Sequence, residues 1–277
     1  MAQPTQYLVS LLLMPITPPN SSDIPVIRFE NVHKRFGSLV VLNGVDLDIP
    51  ADQTTVVIGP SGTGKSVLLK HIVGLLRPDS GHVYFHGRRI DNLPEKEFEP
   101  IRKRFGFLFQ QSALFDSMDV GENIAFPLRQ EGGIGETKII ETVHEKLSIV
   151  GLAASERKMP ADLSGGQRKR VALARAMAMN PEVLLYDEPT TGLDPIRADV
   201  INELILKLQK QFKVTGIVVT HDMASAFKVA DHIVMLLHGK IVYRGTADEI
   251  RACPDPEVQR FIQGRASEAE LDAVERL

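Results

Sequence analysis

The stretch that most constrains the fold is a glycine-rich turn, Gly59-Pro60-Ser61-Gly62-Thr63-Gly64-Lys65-Ser66. The strand-like run Thr54–Ile58 precedes it, and apolar residues at helical spacing follow it. Its glycines let backbone N–H groups approach a polyphosphate, and the new helix adds the positive end of its dipole. Lys65 can reach terminal phosphates, and the hydroxyl of Ser66 can ligate Mg²⁺. The stretch therefore predicts a phosphate-binding turn between a strand and a helix.

Composition narrows the classes of protein in which such a turn can occur. The chain has 277 residues, 43% of them apolar, and a formal net charge of −3. A mildly acidic chain has no basic field for a polyanion, which argues against nucleic acid as a partner. Cys253 is the single cysteine, so an internal disulfide is excluded and a reducing compartment is favoured.

The first 25 residues are predicted to be a leader outside the folded domain. The apolar run 7–16 is broken by Pro15 and is too short to span a bilayer. No Lys or Arg precedes Arg28, so the basic start of a signal peptide is missing. We expect residues 1–25 to be disordered or translated from an early start, with Met14 as the alternative start. No other run could cross a bilayer, so action at a membrane would need a partner.

The remaining chain alternates between strand-like and helical patterns. Short strands flank the phosphate turn and predict an antiparallel sheet beside a parallel one; they are 26–30, 39–42, 45–49 and 82–86. Later strands alternate with helices, which predicts a parallel sheet covered on both faces. These strands are 105–109, 183–186, 216–219, 233–237 and 240–244, and the helices are 197–212 and 223–230.

A helical insertion and a tail complete the predicted organisation. Residues 118–175 are mainly helical, with a break at Gly132 and Gly133 and an amphipathic helix at 137–150. We expect one domain over residues 26–250, with a helical part at about 112–175, and a helical tail over 251–277. Residues 266–277 form an acidic helix candidate, either a frayed end or a subunit contact.

Two further patterns suit the chemistry of a bound polyphosphate. A hydrophobic strand ends at Asp187, where it can hold Mg²⁺, and Glu188 follows, placed to polarise an attacking water. The sequence Ser164-Gly165-Gly166-Gln167 opens a helix and predicts a second anion site. The basic run 168–170 after it is interpreted as a solvated helix face.

Together these patterns resemble the ATP-binding subunits of ABC transporters over roughly residues 26–250. That family has a Walker A motif, a Q-loop glutamine, a signature motif, Walker B with a catalytic glutamate, a D-loop and a switch histidine. The matching positions are, in order, 59–66, Gln110, 163–167, 183–188, 192–194 and His221, and Phe36 takes the place of the adenine-stacking aromatic, which is more often Tyr. The resemblance implies an α/β fold, the P-loop NTPase ABC cassette, with a mixed central sheet flanked by helices, an antiparallel β subdomain and an inserted α-helical subdomain.

The resemblance also implies a mechanism that uses two copies of the chain and the cofactors ATP and Mg²⁺. The copies pair head to tail, and each ATP lies between the Walker A of one chain and the signature of the other. Glu188 acts as the general base, His221 contacts the γ-phosphate and Gln110 touches Mg²⁺ and the water. Ser66, Gln110 and Asp187 are the implied metal ligands. Ser164, Gly165, Gly166, Gln167 and Asp194 act on the partner's nucleotide.

Within the family, residues 109–118, 122–128, 62–70 and 258–264 resemble the Mla-type lipid-transport ATPases of Gram-negative bacteria. That implies phospholipid transport between membranes that maintains outer-membrane lipid asymmetry, at the cytoplasmic face of the inner membrane. The implied partners are an MlaE-like permease, an MlaD-like lipid-binding protein and a STAS-domain protein.

Two alternatives stay open. One is the ATPase of a methionine or amino-acid importer, which the short stretch of about 30 residues after Gly245 disfavours. The other is a soluble single-cassette ABC ATPase outside transport.

Overall fold

A six-stranded sheet and a four-stranded sheet organise the chain in a computed structural model, which describes residues 24–266. The strands are β1 (Ile27–Phe36), β2 (Leu39–Ile49), β3 (Thr54–Ile58), β4 (Ser80–Phe85), β5 (Arg88–Arg89), β6 (Phe105–Leu108), β7 (Val183–Asp187), β8 (Thr215–Thr220), β9 (His232–Leu237) and β10 (Lys240–Gly245). The helices are α1 (Lys65–Ile72), α2 (Glu95–Arg102), α3 (Val120–Glu131), α4 (Glu136–Ile149), α5 (Gly165–Ala176), α6 (Pro195–Phe212), α7 (Met223–Val229), α8 (Ala247–Arg251) and α9 (Pro256–Ile262), with a 3₁₀ turn at Pro160–Asp162.

The larger sheet has the strand order β10-β9-β3-β8-β7-β6. All neighbouring pairs are parallel except β10 and β9, so the predicted mixed sheet is confirmed. Each strand that the pattern predicted here is present, with its ends shifted by no more than one residue. The carboxyl ends of β3, β6, β7 and β8 meet at one edge, which is where ligands of open α/β sheets bind.

Alternate residues of the larger sheet belong to two separate cores. Val56 and Tyr186 pack into the core that includes the helical residues of α3 to α7. Val57 and Leu185 point the other way, into a core shared with α1, α2 and the smaller sheet. Because side chains alternate across a strand, both faces of β3 and β7 are covered, and every residue of the two strands is buried.

The smaller sheet has the order β2-β1-β4-β5 and is antiparallel. The sequence pattern divides residues 39–49 into two strands, which is wrong, because β2 runs through without a break. Val45 pairs with Val32 and Asn43 pairs with the next residue, His33, so Gly44 is the extra residue of a β-bulge, with φ +74°. A bulge keeps the strand paired while bending it, which a pattern of polar and apolar residues does not distinguish from a turn.

The helical insertion consists of α3, α4 and α5. A capping box starts α3, in which Asp119 and Glu122 each accept a hydrogen bond from the other's backbone N–H. The predicted break at Gly132 ends α3, and the predicted helix 137–150 is α4. The sequence pattern did not predict α2, which buries only Phe98 and Ile101 and contains Pro100.

Three sequence predictions fall wholly or partly outside the described part of the chain. Residues 1–23 and 267–277 lie beyond it, so the leader at 1–25, the helical tail at 251–277 and the acidic helix at 266–277 stay predictions. Cys253 follows α8 and is half-buried. Within residues 24–266, no helix combines the length and apolar character needed to cross a membrane.

Candidate active site

The phosphate turn joins β3 to α1 and needs glycine at two positions. A Cβ on Gly59 would lie 2.2 Å from the carbonyl oxygen of Leu236, and one on Gly64 would lie 2.7 Å from Cγ1 of Val41. Gly64 is also the N-cap of α1, with φ +101°. Only a residue without a side chain fits such close approaches and that conformation. The turn therefore keeps its backbone N–H groups beside the start of α1.

The side chain of Lys65 lies folded over this turn. Its Nζ donates to the carbonyl oxygens of Gly59, at 2.7 Å, and Pro60, at 2.9 Å. The side chain is buried, and burial lowers the pKa of the Lys65 ammonium, while the carboxylates of Glu188 and Asp187 act to raise it. The carbonyl of Pro60 also accepts from the hydroxyl of Thr63 at 2.9 Å. Lys65 is thus a buried cation whose present acceptors are exchangeable for phosphate oxygens.

Ser66 and Asp187 form a pair of oxygen donors beside the turn. The Ser66 Oγ donates to Oδ1 of Asp187 at 2.7 Å, although the two residues lie on α1 and at the end of β7. Burial raises the pKa of the Asp187 carboxyl, and the Ser66 hydrogen bond opposes that shift. A hydroxyl and a buried carboxylate at this separation suit a hard cation such as Mg²⁺. These two residues fit the predicted metal role.

Glu188 follows Asp187 and is held from several sides. Its Oε1 lies 2.9 Å from Nδ1 of His221, and its Oε2 accepts from the hydroxyls of Thr191 and Thr220, each at 3.2 Å. Its backbone has φ +50°, in the left-handed region that residues other than glycine rarely adopt. Its N–H donates to the carbonyl oxygen of Val219 at 2.9 Å. The carboxylate is therefore fixed in one orientation, as the acceptor of a water proton must be.

The predicted residues of one chain meet in a cleft of about 380 Å³. It is lined by Phe36, Val41, Ser61, Gly62, Gly64, Lys65, Ser66, Val67, Gln110, Glu188 and His221. Gly59, Pro60 and Thr63 do not line the cleft, but they stabilise the turn through the close approaches and hydrogen bonds already described. Phe36 is 46% exposed, and the Lys34 ammonium lies over its ring, 5.6 Å from the ring centroid. The Walker A, Q-loop, glutamate and histidine positions thus share one site.

The signature residues form a separate group at the start of α5. Ser164 caps the helix: its Oγ accepts from the N–H of Gln167 at 3.3 Å, and Gln167 Oε1 accepts from the N–H of Ser164 at 2.9 Å. Ser164, Gly166 and Gln167 line a small pocket with Arg197, and none of them lines the 380 Å³ cleft of this chain. A Cβ on Gly165 would lie 3.6 Å from Leu193. The signature therefore lies beside the D-loop rather than beside the phosphate turn.

Asp194 belongs to this second group. It caps α6, where its Oδ1 accepts from the N–H of Arg197 at 3.0 Å, and its other oxygen lies 3.2 Å from Nε of Arg197. In the described chain Asp194 is not a lining residue of the cleft. Within one copy of the chain, the cleft and the signature group are thus two separate sets of residues.

The interpretation of the basic run 168–170 as a solvated helix face is wrong for Lys169. Arg168 is exposed, whereas Lys169 is 5% exposed. Its Nζ donates to the backbone carbonyl oxygens of Gln110, at 2.8 Å, and Glu188, at 3.1 Å. The helical spacing of Lys169 with the buried residues Gly166 and Leu173 was a signal that it faces inward.

Comparison with known proteins places this site in a family. A family profile described as "ABC transporter" matches residues 42–191, over half of the chain. The chain belongs to the ABC transporter ATP-binding family. The predicted recognition and the predicted cassette fold are confirmed, and the chain is an ATPase whose hydrolysis of ATP is coupled to transport.

Two curated relatives and one solved structure illustrate the similarity. The chain is 43% identical over 239 residues to "Probable ribonucleotide transport ATP-binding protein mkl" of Mycobacterium leprae, covering 86% of this chain and 69% of the relative. It is 40% identical over 230 residues to "Intermembrane phospholipid transport system ATP-binding protein MlaF" of Escherichia coli, covering 83% of this chain and 86% of that relative. A dimer of the ATP-binding cassette MJ0796 bound to ADP and Pi matches with a TM-score of 0.73 and 33% identity, covering 79% of this chain and 98% of that one. Cassettes of this family dimerise and pair with membrane permeases.

Proposed function

We propose that the chain hydrolyses MgATP as one half of a head-to-tail pair and powers phospholipid transport between membranes through a separate permease. The observation that supports phospholipid as the transported substrate is the 40% identity of this chain to MlaF of Escherichia coli over most of both chains. In this role the chain helps to maintain outer-membrane lipid asymmetry. By its similarity to MlaF, it works as a peripheral protein at the cytoplasmic face of the inner membrane.

The residues of the cleft divide the chemistry among them. Lys65 moves from the carbonyls of Gly59 and Pro60 to the β- and γ-phosphates, and the N–H groups of the turn hold the remaining oxygens. Ser66 and Asp187 would hold Mg²⁺, which would supply charge neutralisation when bound, and Gln110 lines the same cleft as Ser66. Glu188 accepts a proton from the attacking water. His221, which contacts Glu188, contacts the γ-phosphate, and Phe36 stacks on adenine.

A second copy completes the site. Ser164, Gly165, Gly166 and Gln167 contribute a capped helix start, whose positive dipole end suits the γ-phosphate of the partner's ATP. Asp194 lies next to this group and connects the two sites across the pair. The geometric support is that these residues lie apart from the cleft of their own chain. A head-to-tail pair puts both halves on the same nucleotide.

A groove beside the Q-loop is the proposed docking site of the permease. It has a volume of about 720 Å³, larger than the nucleotide cleft, and lies between α2, β6, α3 and α5. Its apolar lining includes Phe107, Phe109, Phe115 and Phe126, and its charged lining residues are Glu99, Arg102, Lys103, Glu131 and Arg175. Phe109 directly precedes Gln110, so an element seated in this groove contacts the segment that senses the nucleotide. An aromatic floor with charged residues at its margin suits a short amphipathic permease element.

The more specific partners and boundaries follow the same resemblance. We propose an MlaE-like permease, an MlaD-like lipid-binding protein and a STAS-domain protein as partners. The cassette occupies residues 26–250, with its helical part at about 112–175, a leader at 1–25 and a tail at 251–277.

Affinity purification from membranes, with mass spectrometry of the proteins and lipids retained, tests this function. A permease together with phospholipid is the expected result. A lipid-free complex with a solute-binding protein would support an amino-acid or methionine importer instead, and retained ribonucleotide cargo would support the function in the name of the mycobacterial relative. Recovery without any membrane protein would support the soluble ATPase.

A pair of variants tests the groove. Phe115, which is 40% exposed there, is changed to Asp; Ile140, which is 50% exposed on α4, receives the same change as a control. We expect Phe115→Asp to lose the permease while retaining the ATPase activity of the isolated chain, and Ile140→Asp to keep both. Equal retention of the permease by the two variants would contradict docking in this groove.

A further inference from the structure

A buried lysine connects two motifs of the cleft to the helix that carries the signature. Lys169 lies on α5, two residues after the signature, and its ammonium donates to the backbone carbonyl oxygens of Gln110 and Glu188. Gln110 follows β6 and Glu188 follows β7, so the lysine joins the ends of two strands to a helix. Its side chain does not line the nucleotide cleft.

The surroundings of this lysine explain why a charged group is buried there. Burial lowers the pKa of the Lys169 ammonium, and the nearby carboxylates of Glu188 and Asp187 act to raise it. A buried ammonium is tolerated only with acceptors and opposite charge close by. Lys146 is also buried, but its Nζ donates to the side chains of Glu145, on α4, and Asn180, between α5 and β7. Lys169 differs because it binds the backbone of the residues that carry the chemistry.

The backbone of Glu188 has a conformation that needs support. With φ +50° it lies in the left-handed region, which raises the energy of a residue that has a side chain. Its N–H is bound by Val219 and its carbonyl oxygen by Lys169. The backbone from which the side chain extends is thus fixed at both ends, and His221, Thr191 and Thr220 hold the carboxylate itself.

We propose that Lys169 is a positioning residue, which sets the Glu188 carboxylate and the Gln110 segment relative to α5. The inference rests on the proposed ATPase mechanism and deepens it. Because the start of α5 is offered to the partner's nucleotide, Lys169 links that contact to the base of its own chain. When the pair closes on one ATP, the movement of α5 thereby acts on the position of Glu188 at the second ATP site.

Steady-state ATP hydrolysis by Lys169→Met tests the proposal. Methionine keeps the length of the side chain and removes its charge and both hydrogen bonds. We expect kcat to fall about 10- to 100-fold, the loss that an error of about 1 Å in position produces, while KM for ATP changes by less than about 3-fold. Lys210→Met, at an exposed lysine near the carboxyl end of α6, is the matched control and keeps kcat within about 2-fold.

Rescue by the conservative variant separates positioning from a general structural role. Lys169→Arg retains donors for both carbonyls, so we expect it to recover most of the lost kcat. Unchanged kcat in Lys169→Met would overturn the proposal, and so would a lower Tm with loss of kcat that arginine does not rescue. If Lys169→Met does not fold, Lys169→Gln and Lys169→Arg decide by the same criteria, and failure of all three to fold would also overturn it. An inactive wild-type chain would instead contradict the proposed function itself.

Discussion

The hydroxyl of Ser66 lies 2.7 Å from the carboxylate of Asp187, at the junction of α1 and β7. This hydrogen bond and the nearby ammonium groups of Lys70 and Lys65 compensate only in part for the burial of a carboxylate that is 8% exposed. Burial raises the pKa of Asp187 despite them. Before a cation binds, the site therefore holds a buried negative charge. Burying this charge lowers the stability of the nucleotide-free protein.

We expect Asp187→Asn to stabilise the nucleotide-free protein at neutral pH. A carboxyl whose folded pKa lies above its unfolded pKa lowers stability as pH rises through that interval, and the penalty is complete above the folded pKa. Removing the charge should raise Tm at pH 7 by about 2–4 °C, the shift that about 1 kcal/mol gives in a chain of this size. The gain should disappear below the unfolded pKa. Thermal unfolding followed against pH without Mg²⁺ measures both effects, and MgATP hydrolysis should be lost.

Asp79→Asn is the control of opposite sign. The side chain of Lys34 and the N–H of Arg35 hold the pKa of Asp79 below its usual range. Its contribution to stability is present above the unfolded pKa and is lost as pH falls through the folded pKa, so this substitution should lower Tm slightly at pH 7. An equal or lower Tm for Asp187→Asn at pH 7 would contradict the account of the buried carboxylate.

The position of the Glu188 carboxylate, in contact with His221, predicts that its replacement by an amide lowers kcat. Glu188→Gln keeps the shape of the side chain but cannot take a proton, so kcat should fall by about 10²–10⁴-fold. ATP should still bind, and an ATP-bound pair should accumulate, which size-exclusion chromatography with ATP detects. Glu203→Gln, on the exposed side of α6, is the control and should leave kcat unchanged. Near-normal hydrolysis by Glu188→Gln would remove it from the role of base.

Much of the cleft was predictable because its signals are local. The turn at 59–66 needs glycines, a lysine and a serine in adjacent positions, and Asp187 and Glu188 end a strand of continuous apolar residues. Both patterns place their residues at the same edge of a parallel sheet, whatever the rest of the chain does. The structure brings Gln110 and His221 to that edge as well.

The parts that were not predicted depend on contacts distant in sequence. Lys169 looks like its exposed neighbour Arg168 until β6 and β7 supply the carbonyls that bury it. Gly44 looks like a turn until β1 pairs across the bulge. In both cases the deciding partner lies elsewhere in the chain, so spacing alone does not identify it.

Gly106, in β6, predicts a strong effect of a single methyl group. A Cβ there would lie 2.3 Å from the carbonyl oxygen of Ala176 and 2.6 Å from Cδ2 of Leu184. Gly106→Ala would force β6 away from α5, and overpacking of this kind costs about 1–3 kcal/mol. We expect a lower midpoint of denaturant unfolding without a change in slope.

Gly135 provides the matched glycine. It caps α4 with φ −65° and no side-chain hydrogen bond, and a Cβ there would meet nothing within 4 Å. Gly135→Ser adds a capping hydroxyl and removes backbone freedom from the unfolded chain, so it should stabilise by about 0.5–1 kcal/mol. Destabilisation by both substitutions would show that loss of glycine itself, and not the close approach at Gly106, is responsible.

Separation of the signature from the cleft predicts that two inactive variants complement each other. Lys65→Ala damages the phosphate turn, and Ser164→Arg blocks the start of α5, so each alone should lack ATPase activity. In a mixed head-to-tail pair, Lys65 of one chain and Ser164 of the other complete one intact site. An equal mixture forms such pairs half of the time, so activity should return to roughly a quarter of that of the wild type. Each variant assayed alone is the control. If each chain carried a complete site of its own, the mixture would stay as inactive as its components, because no chain in it has both residues.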